Sequence, residues 1–151
     1  MSRTLAQRDA DLARAARYSI SVWATHPQMT AAELAAALDI EPNVAWTVGD
    51  ARVSPPNGRP LGGFRKESYV AGHRERPLEW DLEVALEPLI AKLSGRVDQI
   101  AQIRQSGGKV MFNVTIRYGA PGAVVTVGLM SKLAAIGVEL GLDVLAKRGG
   151  N

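Results

Sequence analysis

The hydrophobic period changes along this chain, and that change limits the fold more than any other feature. Tyr18 to Thr25 alternates Tyr18, Ile20, Val22 and Ala24 against Ser19, Ser21, Trp23 and Thr25. Lys109 to Tyr118 repeats the pattern, with Val110, Phe112, Val114, Ile116 and Tyr118 against Met111, Asn113, Thr115 and Arg117. A two-residue period sends one set to each face of an extended chain, so both segments predict half-buried strands. Between them the period becomes helical. Leu82, Leu86, Leu89 and Leu93 share one face over 78–105, and Val97, Ile100 and Ile103 continue the stripe. Pro88 predicts a kink or a fresh helix start, and Ser94-Gly95 a second break.

The remaining segments are read from turn and cap chemistry. Thr30 stands three residues before Glu33, a capping box that predicts a helix over 31–38, ended by Pro42. Val44 to Val48 predicts a short strand. Ser54-Pro55-Pro56-Asn57-Gly58-Arg59-Pro60 then predicts a long irregular loop, because proline lacks the ladder donor and Asn-Gly favours a turn. Weak alternation from Gly63 to Ala71 predicts an edge strand. After a Gly119-Ala120-Pro121-Gly122 turn, Ala123 to Leu129 reads as the hairpin partner of the strand before it. A helix of about two turns follows, ended by Gly137, and then a strand over 138–146.

Helices over one face of a mainly antiparallel sheet bury these apolar faces most economically. The expected fold is therefore α+β, a ferredoxin-like open-faced sandwich. Residues 17–151 form one domain, as 151 residues imply, and residues 1–16 an arm or short helix. Ser19, Ser21, Trp23, Met111, Asn113, Thr115 and Arg117 are expected to face away from the helices.

Composition narrows the chemistry. The chain has no cysteine, which excludes disulfides, thiolate catalysis, zinc fingers and iron–sulfur clusters. Two histidines, His26 and His73, are too few for a histidine-built metal site, and both are expected in solvent. No metal or other cofactor is expected. The start of the chain has no apolar stretch of secretory type, and no window is long and apolar enough to span a bilayer, so a cytoplasmic protein is expected. No nucleophile elbow, phosphate-binding loop or dinucleotide fingerprint is present, and no acid is paired with a base at a spacing that demands catalysis.

Leu38-Asp39-Ile40-Glu41-Pro42-Asn43-Val44-Ala45-Trp46-Thr47-Val48-Gly49-Asp50 resembles a bacterial family called domain of unknown function 4279, through Leu-x-Ile-x-Pro, a tryptophan and Gly-Asp. Gly62-Gly63-Phe64 stands where that family usually has glycine and tryptophan, so Phe64 departs from it. The resemblance spans roughly residues 17–146 and implies a fold but no activity.

Residues 50–76 hold six cations, Arg52, Arg59, Arg65, Lys66, Arg74 and Arg76, against Asp50, Glu67 and Glu75. With Trp46, Phe64 and Tyr69 close by in sequence, this segment reads either as a basic groove for phosphates and bases or as a solvated loop whose aromatics pack on the sheet. Asp50 reads as a catalytic carboxylate or a metal ligand or, more simply, as a turn cap or the partner of a nearby arginine such as Arg52 or Arg59. Trp23 and Met111, expected exposed beside Asn113 and Arg117 on a polar sheet face, point either to contact with a partner or to a face that the N-terminal arm or the long loop folds over. The candidate binding residues are thus Trp23, Trp46, Asp50, Arg52, Arg59, Arg65, Lys66, Tyr69, Met111 and Arg117. The preferred reading is a non-enzymatic binding module for another protein or a second copy, using the outer sheet face and the loop after Asp50. The alternative is a nucleic-acid or anionic-ligand binder through residues 52–76. A membrane partner is not expected.

Overall fold

A computed structural model of the protein describes residues 4–7, 17–54, 57–117 and 122–145. In chain order its elements are β1 (Tyr18–His26), α1 (Ala31–Leu38), β2 (Pro42–Trp46), β3 (Ala51–Ser54), β4 (Arg59–Phe64), β5 (Ser68–Glu75), α2 (Leu82–Ser94), α3 (Val97–Gln105), β6 (Lys109–Ile116), α4 (Val127–Ile136) and β7 (Glu139–Val144). Five strands form one open sheet in the order β2-β5-β1-β6-β7, and β3 and β4 form a separate hairpin. Neighbours are antiparallel except β6 and β7, which run parallel. Both β1 and β2 oppose β5, so β1-α1-β2 is a parallel unit with β5 inserted. Likewise β5 and β6 flank β1, joined through α2 and α3. Two such interleaved units make the ferredoxin-like α+β core, and α4 with β7 extends it by one strand.

The alternation in β1 and β6 does what the period requires. Tyr18, Ile20, Val22 and Ala24 are buried together with Val110, Phe112, Val114 and Ile116, and meet Leu34, Leu38, Leu86, Leu89, Leu93, Ile100, Ile103, Leu129 and Leu133 from the helices. The opposite set, Ser19, Ser21, Trp23, Met111, Thr115 and Arg117, is half-buried on the outer face.

Caps and breaks fall where side-chain chemistry puts them. Thr30 accepts the Glu33 backbone N–H at 3.1 Å while Glu33 accepts that of Thr30 at 2.9 Å, closing the capping box. The 78–105 stripe divides at Gly95 into α2 and α3, while Pro88 lies inside α2. Asp81 starts α2 by accepting the Val84 N–H.

Several expectations are corrected. The proline-rich stretch is not structureless: Ser54 ends β3, Arg59 and Pro60 open β4, and Asn57-Gly58 turns the chain between them. Pro60 is tolerated because this two-stranded unit is all edge. The strand expected at Gly63 to Ala71 lies at Ser68–Glu75 instead, and it is interior, with β2 on one side and β1 on the other. Ala123 to Thr126 is not a strand. Thr126 is the N-cap of α4, its hydroxyl accepting the Leu129 N–H at 3.0 Å, and the cap overrides the β-branched residues before it. The α4 helix has ten residues, longer than the two turns expected. Most of the N-terminal arm and the 119–121 part of the turn lie outside the described residues.

His26 is not in solvent. It is 1% exposed, and its Nδ1 accepts the backbone N–H groups of Gln28 at 2.9 Å and Met29 at 2.8 Å. An acceptor Nδ1 assigns the ring proton to Nε2, which donates to Ser106 Oγ at 2.8 Å, and that hydroxyl donates to the Gln102 carbonyl at 2.7 Å.

A carboxylate joins α2 to α4. Glu83 accepts the Thr126 hydroxyl at 2.7 Å and pairs with Lys132 at 3.1 Å. Those two partners, the hydroxyl foremost, hold its carboxyl below the ordinary 4.5. A depressed carboxyl stabilises the fold fully above its ordinary value and ceases to do so as pH falls through the folded one. The denaturant midpoints of wild type and Glu83→Gln are therefore expected to differ most near neutrality and to converge as pH falls below the ordinary carboxylate range. A gap that does not change with pH would show that the ion pair and the accepted hydroxyl proton are not its source.

Candidate binding site

The antiparallel register gathers the aromatic residues. Trp46 on β2 lies opposite Tyr69 on β5, and Trp23 on β1 lies opposite Ala71, two residues along from Tyr69. Side chains two apart share a face, so all three rings lie on the outer side. Trp46 stacks on Tyr69 with centroids 4.5 Å apart at 21°, and Tyr69 meets Trp23 edge-on at 5.7 Å and 70°. The Arg65 guanidinium lies 3.8 Å from the centre of the Trp46 ring. These contacts form a continuous row, cation–indole–phenol–indole, with geometries in which quadrupoles and charge attract. Burial pushes the Tyr69 phenol up from its ordinary value, so it remains a neutral donor near neutrality. The Trp23 indole N–H donates to Ser21 Oγ at 2.9 Å.

The Gly49-Asp50 turn places Arg65. Asp50 Oδ2 accepts the Thr47 backbone N–H at 2.9 Å, which closes a tight turn with Gly49 at φ +89°. The Gly49 N–H then donates to the Arg65 carbonyl at 2.9 Å, and the Arg65 N–H to the Asp50 carbonyl at 2.8 Å. Asp50 is thus a turn acceptor that anchors the base of the β3–β4 hairpin.

Two grooves adjoin the row. A groove of about 350 Å³ on the outer sheet face is lined by Ser19, Ser21, Trp23, Tyr69, Asn113 and Thr115, with Arg74 and Asp143 also on its wall. A cleft of about 410 Å³ separates β2 from the hairpin, with Val44, Trp46, Ala51, Val53, Asp50 and Arg65 among its walls. Asn43 and Val44 line both, so the two are parts of one trough.

The candidate residues divide accordingly. Trp23, Trp46, Arg65 and Tyr69 come together in the row. Arg52 and Lys66 line a shallow groove of about 280 Å³ with Phe64, Trp46, Arg65 and Glu67. Arg59 lies at the far end of the hairpin, opposite Ser54. Trp23 and Met111 are half-buried, which corrects their expected exposure, and they share a smaller groove with Lys109 and Glu67. Met111 lies against β7, where a side chain at Gly141 would collide with its sulfur. Arg117 lies two strand positions beyond Thr115, away from the aromatic row, and its Nη1 is buried without a hydrogen-bond partner among the described residues. Sequence reasoning did not select Ser19, Ser21, Asn113 and Thr115 as site residues, although their alternation already put them on the outer face. Asn43, Arg74 and Asp143 join the groove only through the strand order, for which the sequence carries no local signal.

Comparison with protein-family models, with curated proteins and with solved structures finds no match to this chain. Among the described residues no three histidine, aspartate or glutamate side chains are grouped to hold a metal ion, and no helix is long and apolar enough to cross a membrane.

Proposed function

We propose that the protein is a non-enzymatic binding module that engages another protein through its outer sheet face and the hairpin after Asp50. The observation that carries this reading is the row Arg65–Trp46–Tyr69–Trp23. It is a stiff, half-buried wall beside a groove furnished with hydroxyls and two amides, Asn43 and Asn113, the latter only 8% exposed. Apolar rings flanked by a few fixed polar groups suit recognition of a folded partner or a segment of one, because little side-chain entropy remains to be lost on contact.

The same row weakens the nucleic-acid alternative. Trp46 has Tyr69 against one face and Arg65 against its ring, and Tyr69 is engaged by both tryptophans, so the platforms that would stack bases are already occupied. The hairpin cations retain an attraction for phosphate, without the stacking that gives single strands their grip.

Affinity capture from an extract of the native cells tests the reading. Wild type is expected to retain a specific protein, and Thr115→Arg, which fills the groove from a half-buried position, to retain roughly tenfold less of it. Equal recovery with the two baits would remove the outer face from the interaction.

A further inference from the structure

We infer that the cleft between β2 and the β3–β4 hairpin takes an extended acidic peptide segment as an added strand on the edge of β2. This rests on the binding-module reading and names its partner chemistry and mode of contact.

The outward edge of β2 is unpaired. The strand closes the sheet at one end, pairing only with β5. Among the described residues no backbone hydrogen bond joins residues 42–46 to the hairpin that faces them. A row of vacant N–H and C=O groups is a template for another strand, and native proteins normally blunt such an edge or use it. Here the edge faces a cleft of about 410 Å³ with a wall opposite it.

That wall is itself unfinished. The β3–β4 hairpin is exposed along almost its whole length, and a two-stranded ribbon alone in water is marginal. Hydrogen bonds tie it to the rest of the chain at its base, through Gly49, Asp50 and Arg65. Val53 and Ala51 turn toward Val44 and Trp46 across the cleft without filling it. A strand between them would satisfy the β2 edge and cover apolar surface on both sides.

Charge selects the occupant. Residues 51–66 carry Arg52, Arg59, Arg65 and Lys66; Arg65 lines the cleft itself, and Arg52 and Lys66 line the adjoining groove that shares Trp46 and Arg65 with it, beside Glu67. Among the described residues no carboxylate forms an ion pair with any of the four. Asp50 also lines the cleft, one carboxylate oxygen accepting the Thr47 N–H, so the cations beside it outnumber the cleft's one carboxylate. An incoming strand bearing glutamate or aspartate at alternate positions would place apolar residues toward Val44 and Val53 and carboxylates toward Arg65 and, past it, Arg52 and Lys66 in the adjoining groove.

The test uses the full chain, ¹⁵N-labelled, titrated with three synthetic hexapeptides of alternating residues: valine–glutamate, valine–lysine, and valine–glutamate with alternate backbone amides methylated. The first is expected to shift the amide signals of residues 43–46 and 51–54. Its lysine counterpart should bind at least about tenfold more weakly, as should the acidic peptide against Arg52→Glu/Lys66→Glu. Backbone methylation, which removes strand donors while keeping charge, should abolish the shifts at 43–46. Equal binding of the methylated peptide, or no binding of the acidic one, would overturn the strand-addition inference. Shifts confined to Ser19, Ser21, Asn113 and Thr115 would also overturn it while leaving the outer-face reading intact. A duplex oligonucleotide that shifts Arg52 and Arg59 while the acidic peptide shifts nothing would replace both readings with phosphate binding.

Discussion

Gly72→Ala is expected to lower stability by about 3 kcal/mol, the upper end of what forced overpacking costs, and the melting temperature by roughly 9 °C. A Cβ at residue 72 would collide with the carbonyl oxygen of Glu41 and come within 3.1 Å of Pro42 Cα. Both obstacles are backbone, which cannot rotate away as a flexible side chain can. Gly72 is where β5 lies against the start of β2, so relief requires β2 to move off the sheet. The variant is therefore expected to lose the Trp46–Tyr69 stack as well, read as a change in near-ultraviolet circular dichroism. A melting curve unchanged to within about 2 °C would mean that the β2 approach is looser than this geometry.

His26→Ala is expected to cost a similar amount, about 3 kcal/mol, by a different route. The ring fills buried space and accepts two backbone N–H groups that lie just ahead of α1. Removing it leaves a cavity and two donors without their acceptor. Ser106→Ala, which removes only the far end of the same chain of bonds, is expected to cost about 1 kcal/mol. Because the two residues act through one hydrogen bond, the double variant is expected to be less damaging than the two losses added, by roughly 1 kcal/mol in a denaturant double-mutant cycle. Strict additivity would show that the ring acts through volume alone.

These two positions also show what the sequence could and could not reveal. β1, α1, β6 and the leucine-striped helices are legible because each is specified locally, by alternation, by the Thr30–Glu33 cap or by a stripe of leucines. His26 is not, since its acceptor role depends on a loop that follows it and on Ser106, which arrives from the end of α3. β5 is displaced from its expected position for a related reason. His73 adopts φ +57° in a bulge that adds one residue to β5 against β1, and the strand is covered on both edges by segments far away in the chain. In the β3–β4 hairpin, three prolines outweighed the Asn57-Gly58 turn that marks its tip. The outer face of the site was readable as a set of alternating residues. The cleft was not, because it exists only where the hairpin returns beside β2.

The strand order has a last consequence, for the timing of assembly. β1 sits at the centre of the sheet, yet its partners on β6 lie more than 80 residues downstream, with Tyr18 opposite Ile116 and Thr25 opposite Lys109. A ribosome must therefore deliver most of the chain before the middle of the sheet can close, and until then β1 has an unsatisfied flank. Such distant pairing slows folding and lengthens the interval in which a nascent chain depends on chaperones to keep that flank from sticking elsewhere.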